Sequence, residues 1–250
     1  FLFFFFLHLQ VWYVHERFDR ELLVNTYLHF PTLYILKLYK RYMHVIEERL
    51  KANNVPDDFK YLCVAESALQ NQISKAGATG FWQFMRGTAP GYGLEVNSEV
   101  DERYNPVKST DAACKYLLNA YNKFGSWTAA AASYNCGMGG YNGAATAQGN
   151  YNYYNLLLPE ETMRYIFRIM AIKYILENPE RSGFNLDDEN KYDPHNVKKV
   201  LVNYTVPSLV KFAMDNGTNY KTVKLLNPWL RGKSLSNRSR KTYTILVPAE

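Results

Sequence analysis

The sequence predicts a mainly α protein that closes with a small β-α-α-β unit. Two observations carry this expectation: apolar residues recur at three- and four-residue steps from Thr32 onward, and after Pro179 the composition shifts to β-branched runs. Glycines, asparagines and prolines punctuate the periodic stretches and set their ends.

In the first periodic stretch Leu36, Tyr39, Met43, Ile46 and Leu50 alternate with Lys37, Lys40, Arg41, Glu47 and Lys51, which predicts a long amphipathic helix. Asn53-Asn54-Val55-Pro56 breaks it. Pro56, Asp57 and Asp58 predict the next helix start, because proline presets a first turn and acids suit the positive end of the helix dipole. Later helices are expected from Ser109 or Thr110 to Phe124, from Ser126 to about Asn135 where Gly137 stops it, and from Pro159 to about Glu177. Ser182 to Asn196 is polar, carries Gly183, Asp187, Asp188, Glu189, Asp193 and Pro194, and reads as a linker with few ties to the helical core. Beyond it come a strand over Val200–Val206, helices over Ser208–Asn216 and Tyr220–Leu226, and a strand over Thr242–Val247. The expected organisation is therefore an N-terminal segment 1–30 without an assigned fold, a helical domain 31–181, a linker 182–196 and a C-terminal unit 197–250.

Composition narrows the function classes. A chain of 250 residues with 47% hydrophobic and 21% charged residues can bury a substantial core, which excludes disorder and low-complexity architectures. The opening Phe1–Leu7 run meets His8 and Gln10, short of the roughly 18 apolar residues a membrane span needs, so no integral span is expected. Without an initiator Met, that opening reads as a signal-peptide remnant or an artefact and is given no structural role. Cys63, Cys114 and Cys136 lack metal-ligand spacing, so they read as small buried hydrophobes; no metal and no cofactor are expected. The net charge of +6 favours an anionic partner such as an envelope polymer, while its only cluster, Arg231, Lys233, Arg238, Arg240 and Lys241, is too local to argue for nucleic acid. The aromatic fraction of 16% suits either sugar stacking or an aromatic core.

Chemistry is concentrated in three places. On the helix after Pro56 the inward spacing collects Phe59, Leu62, Cys63 and Glu66, which puts a carboxylate on an apolar face. Desolvation raises a carboxyl pKa, and a carboxyl protonated near neutral pH is what a general acid for glycosidic cleavage requires; a Glu paired with a buried Arg is the structural alternative. Gly77, Gly80, Phe81, Trp82 and Gln83 follow in a glycine-rich loop, where a backbone can approach a ligand closely. Tyr134-Asn135 before Gly137 offers a ring, a hydroxyl and an amide, or a plain helix end.

In order, Glu66-Ser67, Gly80-Phe81-Trp82-Gln83, Ser133-Tyr134-Asn135-Cys136-Gly137 and Glu161-Thr162-x-x-Tyr165 resemble the motif series of family 1 lytic transglycosylases, most of all the membrane-bound D type with its goose-lysozyme-like helical catalytic domain. The resemblance implies that Glu66 is the sole catalytic acid/base and that Ser74, Gln83, Tyr134, Asn135 and Tyr165 bind substrate, Ser74 by orienting the sugar N-acetyl group. Ser133 and Cys136 stand where many relatives carry alanine, and the loop after Glu66 is about one residue short of theirs. The C-terminal unit resembles a LysM module through Leu225-Leu226-Asn227-Pro228 and Ile245-Leu246-Val247-Pro248, and departs from it at Val206-Pro207-Ser208-Leu209.

What the resemblance implies is cleavage of the MurNAc-GlcNAc β-1,4 bond of peptidoglycan with formation of 1,6-anhydro-muramoyl ends. The expected partners are glycan strands, with envelope proteins docking through 197–250, in the periplasm or cell envelope of a Gram-negative bacterium, in association with the outer membrane. Two alternatives stand beside it: a hydrolytic muramidase, and an idle glycan-binding scaffold subunit. A hydrolase needs a second carboxylate about 5–10 Å from the first; Glu95, Glu99, Asp101 and Glu102 form the nearest acidic cluster in sequence and read better as a loop clamp.

Overall fold

The apolar spacing that begins at Thr32 becomes helix α2 (His29–Ala52), on which Leu36, Met43, Ile46 and Leu50 are buried. The computed structural model describes residues 11–27 and 29–249, so the expectations for Phe1–Leu7 fall outside the described residues. Within the segment given no fold from sequence, Trp12–Tyr27 form helix α1, which buries Val14 and Glu21. Asn54, in the left-handed region at φ 56°, turns the chain after α2.

Pro56 starts a turn and not a helix: the Phe59 N–H donates to the Pro56 carbonyl, and helix α3 spans Phe59–Ser67. The acids before α3 serve lysines instead of capping it, Asp57 pairing with Lys60 at 2.6 Å and Asp58 with Lys173. Phe59, Lys60, Tyr61, Leu62, Cys63, Val64 and Ser67 are all buried, so α3 is enclosed nearly all round and has no polar face. The expected single stripe through Glu66 is corrected accordingly.

Helix α4 (Pro106–Phe124) starts earlier than expected because Asn105 and Pro106 form its cap. The Asn105 Oδ1 accepts from the Val107 and Lys108 N–H groups, and proline at the first position loses no helical donor. Helix α5 (Trp127–Gln148) is capped by Ser126 and continues past Gly137, which was expected to stop it. At Gly137, φ 78° and ψ 147° bend the helix, a conformation that a side chain would strain. Helix α6 (Glu160–Glu177) carries Glu160 and Glu161 in its first turn.

The polar stretch after α6 is tied down, contrary to the sequence reading. Phe184 is buried with Leu36 and Ile175, Lys40 pairs with Asp188 at 2.7 Å, and the Tyr192 N–H donates to the Lys37 carbonyl. Phe184 and Leu186 pack in one apolar cluster, and the Tyr192 ring lies against Lys37 and Arg41. No helix among the described residues is long and apolar enough to cross a membrane.

The described chain forms two compact units. One holds the residues up to Leu69 with Ala113–Tyr192, and the other holds Gln70–Ala112 with the residues from Asp193 on. In the second, strand β1 (Val197–Val202) pairs antiparallel with β2 (Tyr243–Pro248) with Val200 opposite Ile245, and helices α7 (Leu209–Asp215) and α8 (Tyr220–Leu226) lie between them in sequence. The first strand starts and ends earlier than expected, because Val206 has left the sheet to bridge Leu235. Asn227 is fully buried; its amide donates to the Val223 and Leu246 carbonyls and accepts from the Leu246 N–H, tying α8 to β2.

The core of this unit includes Val100 and Tyr104 beside Val202, Leu209, Trp229 and Ile245. The Arg231 guanidinium lies 4.4 Å from the Tyr104 ring centre, and the Asp101 N–H donates to the Trp229 carbonyl at 2.8 Å. Loop 94–105 is thus part of the C-terminal core. Truncation after Asn190 is therefore expected to expose Val100 and Tyr104 and to destabilise the remainder by at least about 3 kcal/mol. Chemical denaturation with amide exchange of 94–105 checks this; full cooperativity and unchanged protection in the truncated chain would contradict the shared core.

Candidate active site

Helix α3 ends just beyond Glu66. Ala68 and Leu69 both adopt left-handed backbone, at φ 52° and 58°, and the Ala68 N–H closes the last turn on the Val64 carbonyl at 2.8 Å. Such conformations cost about 1–2 kcal/mol for a residue with a Cβ. The buried Leu69 side chain helps hold the chain in this exit. Glu66 consequently sits in the final turn of a buried helix, partly reachable at its surface while its carboxyl is packed among protein groups.

Three helices supply those groups. From α6, the fully buried Tyr165 donates its hydroxyl to Glu66 Oε1 in a short hydrogen bond. From α5 comes Tyr134, half-buried, whose ring meets that of Tyr116 edge-on at 5.0 Å. Cys63 lies one turn back on α3 itself. Asn135 joins the group through Thr162, which donates to its Oδ1 at 2.7 Å and so fixes the orientation of the amide. Ser133 is buried, and its carbonyl accepts from the Tyr116 hydroxyl at 2.6 Å. Ser67 donates to the Cys63 carbonyl at 3.3 Å, which serves helix α3 itself.

The electrostatics have a clear order. Burial is the largest influence on Glu66 and raises its pKa; the Tyr165 hydrogen bond and the Arg168 cation pull it down, and the Glu161 charge pushes it up. The outcome is a carboxyl raised from 4.5 to about 7. Burial first, then the charge of Glu66, holds the hydroxyls of Tyr134 and Tyr165 well above their ordinary range, so both stay protonated donors. A carboxyl balanced near neutrality can give up a proton and take one back, the requirement for an acid that later acts as a base.

Ser74 and Gln83 belong to the second unit. Ser74 is exposed; its hydroxyl accepts from the Ala78 N–H at 3.0 Å, which closes a turn. Gln83 is half-buried with φ 48°, and its amide donates to the Gly80 carbonyl at 2.7 Å and the Gln72 carbonyl at 3.2 Å. Gly80 lets the chain pass close to Arg103: a Cβ there would stand 2.0 Å from the Arg103 carbonyl oxygen. Phe81 and Trp82 are core residues, the Trp82 indole N–H donating to Thr110 at 2.8 Å. The aromatic pair of this motif therefore supports the loop from beneath and is not a sugar platform.

The acidic loop is fully engaged. Asp101 pairs with Arg103 at 2.7 Å, Glu95 accepts from Lys241 and from the Tyr243 hydroxyl, Glu99 accepts from the Ser236 N–H and the Ser234 hydroxyl, and Glu102 accepts from the Glu95 N–H. Hydrogen bonds and the Lys241 cation hold Glu95 below the ordinary carboxyl range despite its burial, and hydrogen bonds do the same for Glu99. All four carboxylates have structural partners. Sequence reasoning missed Arg168 and the role of Glu161, although Glu161, Tyr165 and Arg168 recur at helical spacing along one side of α6. Among the described residues no group of three or more His, Cys, Asp or Glu is placed to hold a metal ion.

Residues 43–157 match the transglycosylase SLT domain, and residues 198–250 match the soluble lytic transglycosylase C-terminal LysM-like domain. The chain is 30% identical over 230 residues to membrane-bound lytic murein transglycosylase D of Escherichia coli K12, covering 89% of this chain and 49% of that protein. The protein of the same description from Escherichia coli O6:H1 matches equally. The chain thus spans about half the length of the curated relatives it matches.

The raised Glu66 pKa has a consequence for stability. Folding holds the proton more tightly than the unfolded chain does, so the carboxyl's contribution is fully present below pH 4.5 and is lost as pH rises through about 7. Glu66→Gln removes that loss. The variant is expected to match the parent in acid and to be more stable by about 1–3 kcal/mol in mild alkali. Denaturation midpoints across the pH range check this, and a constant difference at every pH would contradict a raised Glu66 pKa.

Proposed function

We propose, from the match of residues 43–157 to the transglycosylase SLT domain and of residues 198–250 to the LysM-like C-terminal domain, that the chain is a peptidoglycan lytic transglycosylase acting on the MurNAc-GlcNAc β-1,4 bond. The observation that carries the reading is the buried Glu66, held by the Tyr165 hydroxyl and balanced near neutrality. In the proposed reaction the Glu66 carboxyl protonates the glycosidic oxygen as the bond from the muramic C1 to that oxygen breaks. The N-acetyl carbonyl of the same muramic residue supports the electron-poor C1. The muramic 6-hydroxyl then bonds to C1 and returns its proton to Glu66, so the acid is regenerated and no water is consumed.

Tyr165 orients the carboxyl, and Tyr134, Asn135, Ser74 and Gln83 contact the glycan. The Asn135 amide, its oxygen occupied by Thr162, has N–H groups to offer an N-acetyl carbonyl. The LysM-like unit binds N-acetylated glycan, and residues 197–250 are where envelope proteins would dock. The location proposed is the cell envelope, in the periplasm and associated with the outer membrane; the matched relatives carry the description membrane-bound.

A tethered 6-hydroxyl outcompetes water because it is already held beside C1, an advantage that reaches effective concentrations of about 10⁵ M or more in well-oriented reactions. Hydrolysis is the second reading, and the charge of Glu161 acting on Glu66 favours it, since a hydrolase uses a second carboxylate to activate water. Mass spectrometry of products from purified sacculi separates the two. The expected products end in 1,6-anhydro-muramoyl groups, lighter by one water than hydrolytic ends, and Glu66→Gln is expected to lower the rate by at least about 100-fold. Predominantly reducing ends would move the assignment to a muramidase with Glu161 as its second acid. Turnover of Glu66→Gln within about tenfold of the parent would remove Glu66 from the mechanism.

A further inference from the structure

Helix α1 buries a charge that the proposed reaction does not use. Glu21 is 1% exposed; the Arg164 Nε lies 2.6 Å from its Oε1, and the Arg168 Nε lies 3.9 Å from its Oε2. Oε2 is buried and has no hydrogen-bond partner. A buried carboxylate with an unsatisfied oxygen is costly, and apolar packing at the same site is commonly as stable or more so. This arrangement has a second feature: Arg168 is the same cation whose charge acts on Glu66, and Tyr165, one residue after Arg164, is the residue bonded to Glu66.

We propose that Glu21 is a positioning residue for the acid/base: it anchors Arg164 and shares Arg168, so that the Arg168 guanidinium is held between two carboxylates instead of being given wholly to Glu66. The inference rests on Glu66 being the titrating acid of the proposed reaction. Among the described residues, the groups that act on Glu66 or feel its charge are Tyr165, Arg168 and Glu161 from α6, Tyr134 from α5, and Cys63 from α3. Around Glu21 the groups are Arg164 and Arg168 from α6, while Arg17 and Arg20 of its own helix reach Glu160, at 3.9 and 3.4 Å.

The sign follows from which charge is removed. Neutralising Glu21 leaves Arg168 one carboxylate instead of two, which favours ionised Glu66. Removing the Arg168 charge does the opposite. Glu21→Gln is therefore expected to raise the ionisation constant of Glu66 at least about threefold, and Arg168→Gln to lower it by a similar factor. In the Arg168→Gln background, the added Glu21→Gln substitution is expected to lose most of its effect.

The measurement is a carboxyl NMR titration of the full chain, with the Glu66 signal identified by its absence in Glu66→Gln, accompanied by the pH profile of sacculus cleavage. The alkaline limb of that profile is expected to move toward acid in Glu21→Gln. A purely structural Glu21 would lower the melting temperature and leave the Glu66 titration where it was, which overturns the proposal. If Glu21→Gln does not fold, Arg168→Gln alone decides, since an unmoved or more acidic Glu66 there also overturns it. The titration needs no substrate, so a chain that leaves sacculi intact would defeat the lytic reading while this test still runs to an answer.

Discussion

The interaction on which the rest depends is the hydrogen bond from the Tyr165 hydroxyl to the Glu66 carboxyl, made inside a cluster that would otherwise repel a charge. A carboxylate is expensive to take out of water, and helix α3 is buried on almost every side. Burial alone would leave Glu66 a reluctant acid. One neutral donor and one nearby cation give back part of the solvation that the fold removed, enough to bring the carboxyl to the middle of the pH scale without pinning it as an ion. A full ion pair would have favoured the ionised carboxylate and left less proton to give. The phenol suits this purpose, because its own proton is held firmly by the same burial and it remains a donor across the working range.

Much of this was legible in the sequence, for identifiable reasons. Helical periodicity located α2 and α6 to within a few residues, because long amphipathic or apolar repeats survive local irregularity. Glu66 stood out because it follows apolar residues at helical spacing; of its motif partners Tyr165 is bonded to it and Tyr134 feels its charge. What the sequence concealed was the identity of each residue's partner. Asp57 and Asp58 look like helix-capping acids until Lys60 and Lys173 are seen beside them. Gly137 looks like a stop, yet the chain resumes its helix after a bend, and nothing in a single glycine tells the two apart. Phe81 and Trp82 belong to a binding motif in sequence and to the core in space. Loop 94–105 reads as polar, although Val100 and Tyr104 commit it to the C-terminal core. Where the partner is distant in sequence, as Lys173 is from Asp58 and Trp229 from Asp101, periodicity carries no information.

Helix α6 explains why such partners matter. Residues three, four and seven apart share a side of a helix, so Glu161, Thr162, Tyr165 and Arg168 form one stripe, and Arg164 with Arg168 forms a second. Arg168 lies on both. The first stripe orients Asn135 through Thr162, binds Glu66 through Tyr165, and sets the field at Glu66 through Glu161 and Arg168. The second fastens the helix to α1 through Glu21. A rotation or slide of α6 would therefore disturb the amide, the hydrogen bond and the charge balance together, because one rigid element carries all three. A site built this way tolerates little movement of that helix, and a fixed, buried counter-charge on α1 is a physical means of limiting it. The cost of burying Glu21 and the cost of burying Glu66 then have a common origin: two carboxylates held out of water share one arginine, and the position of that arginine fixes how much of its charge each receives.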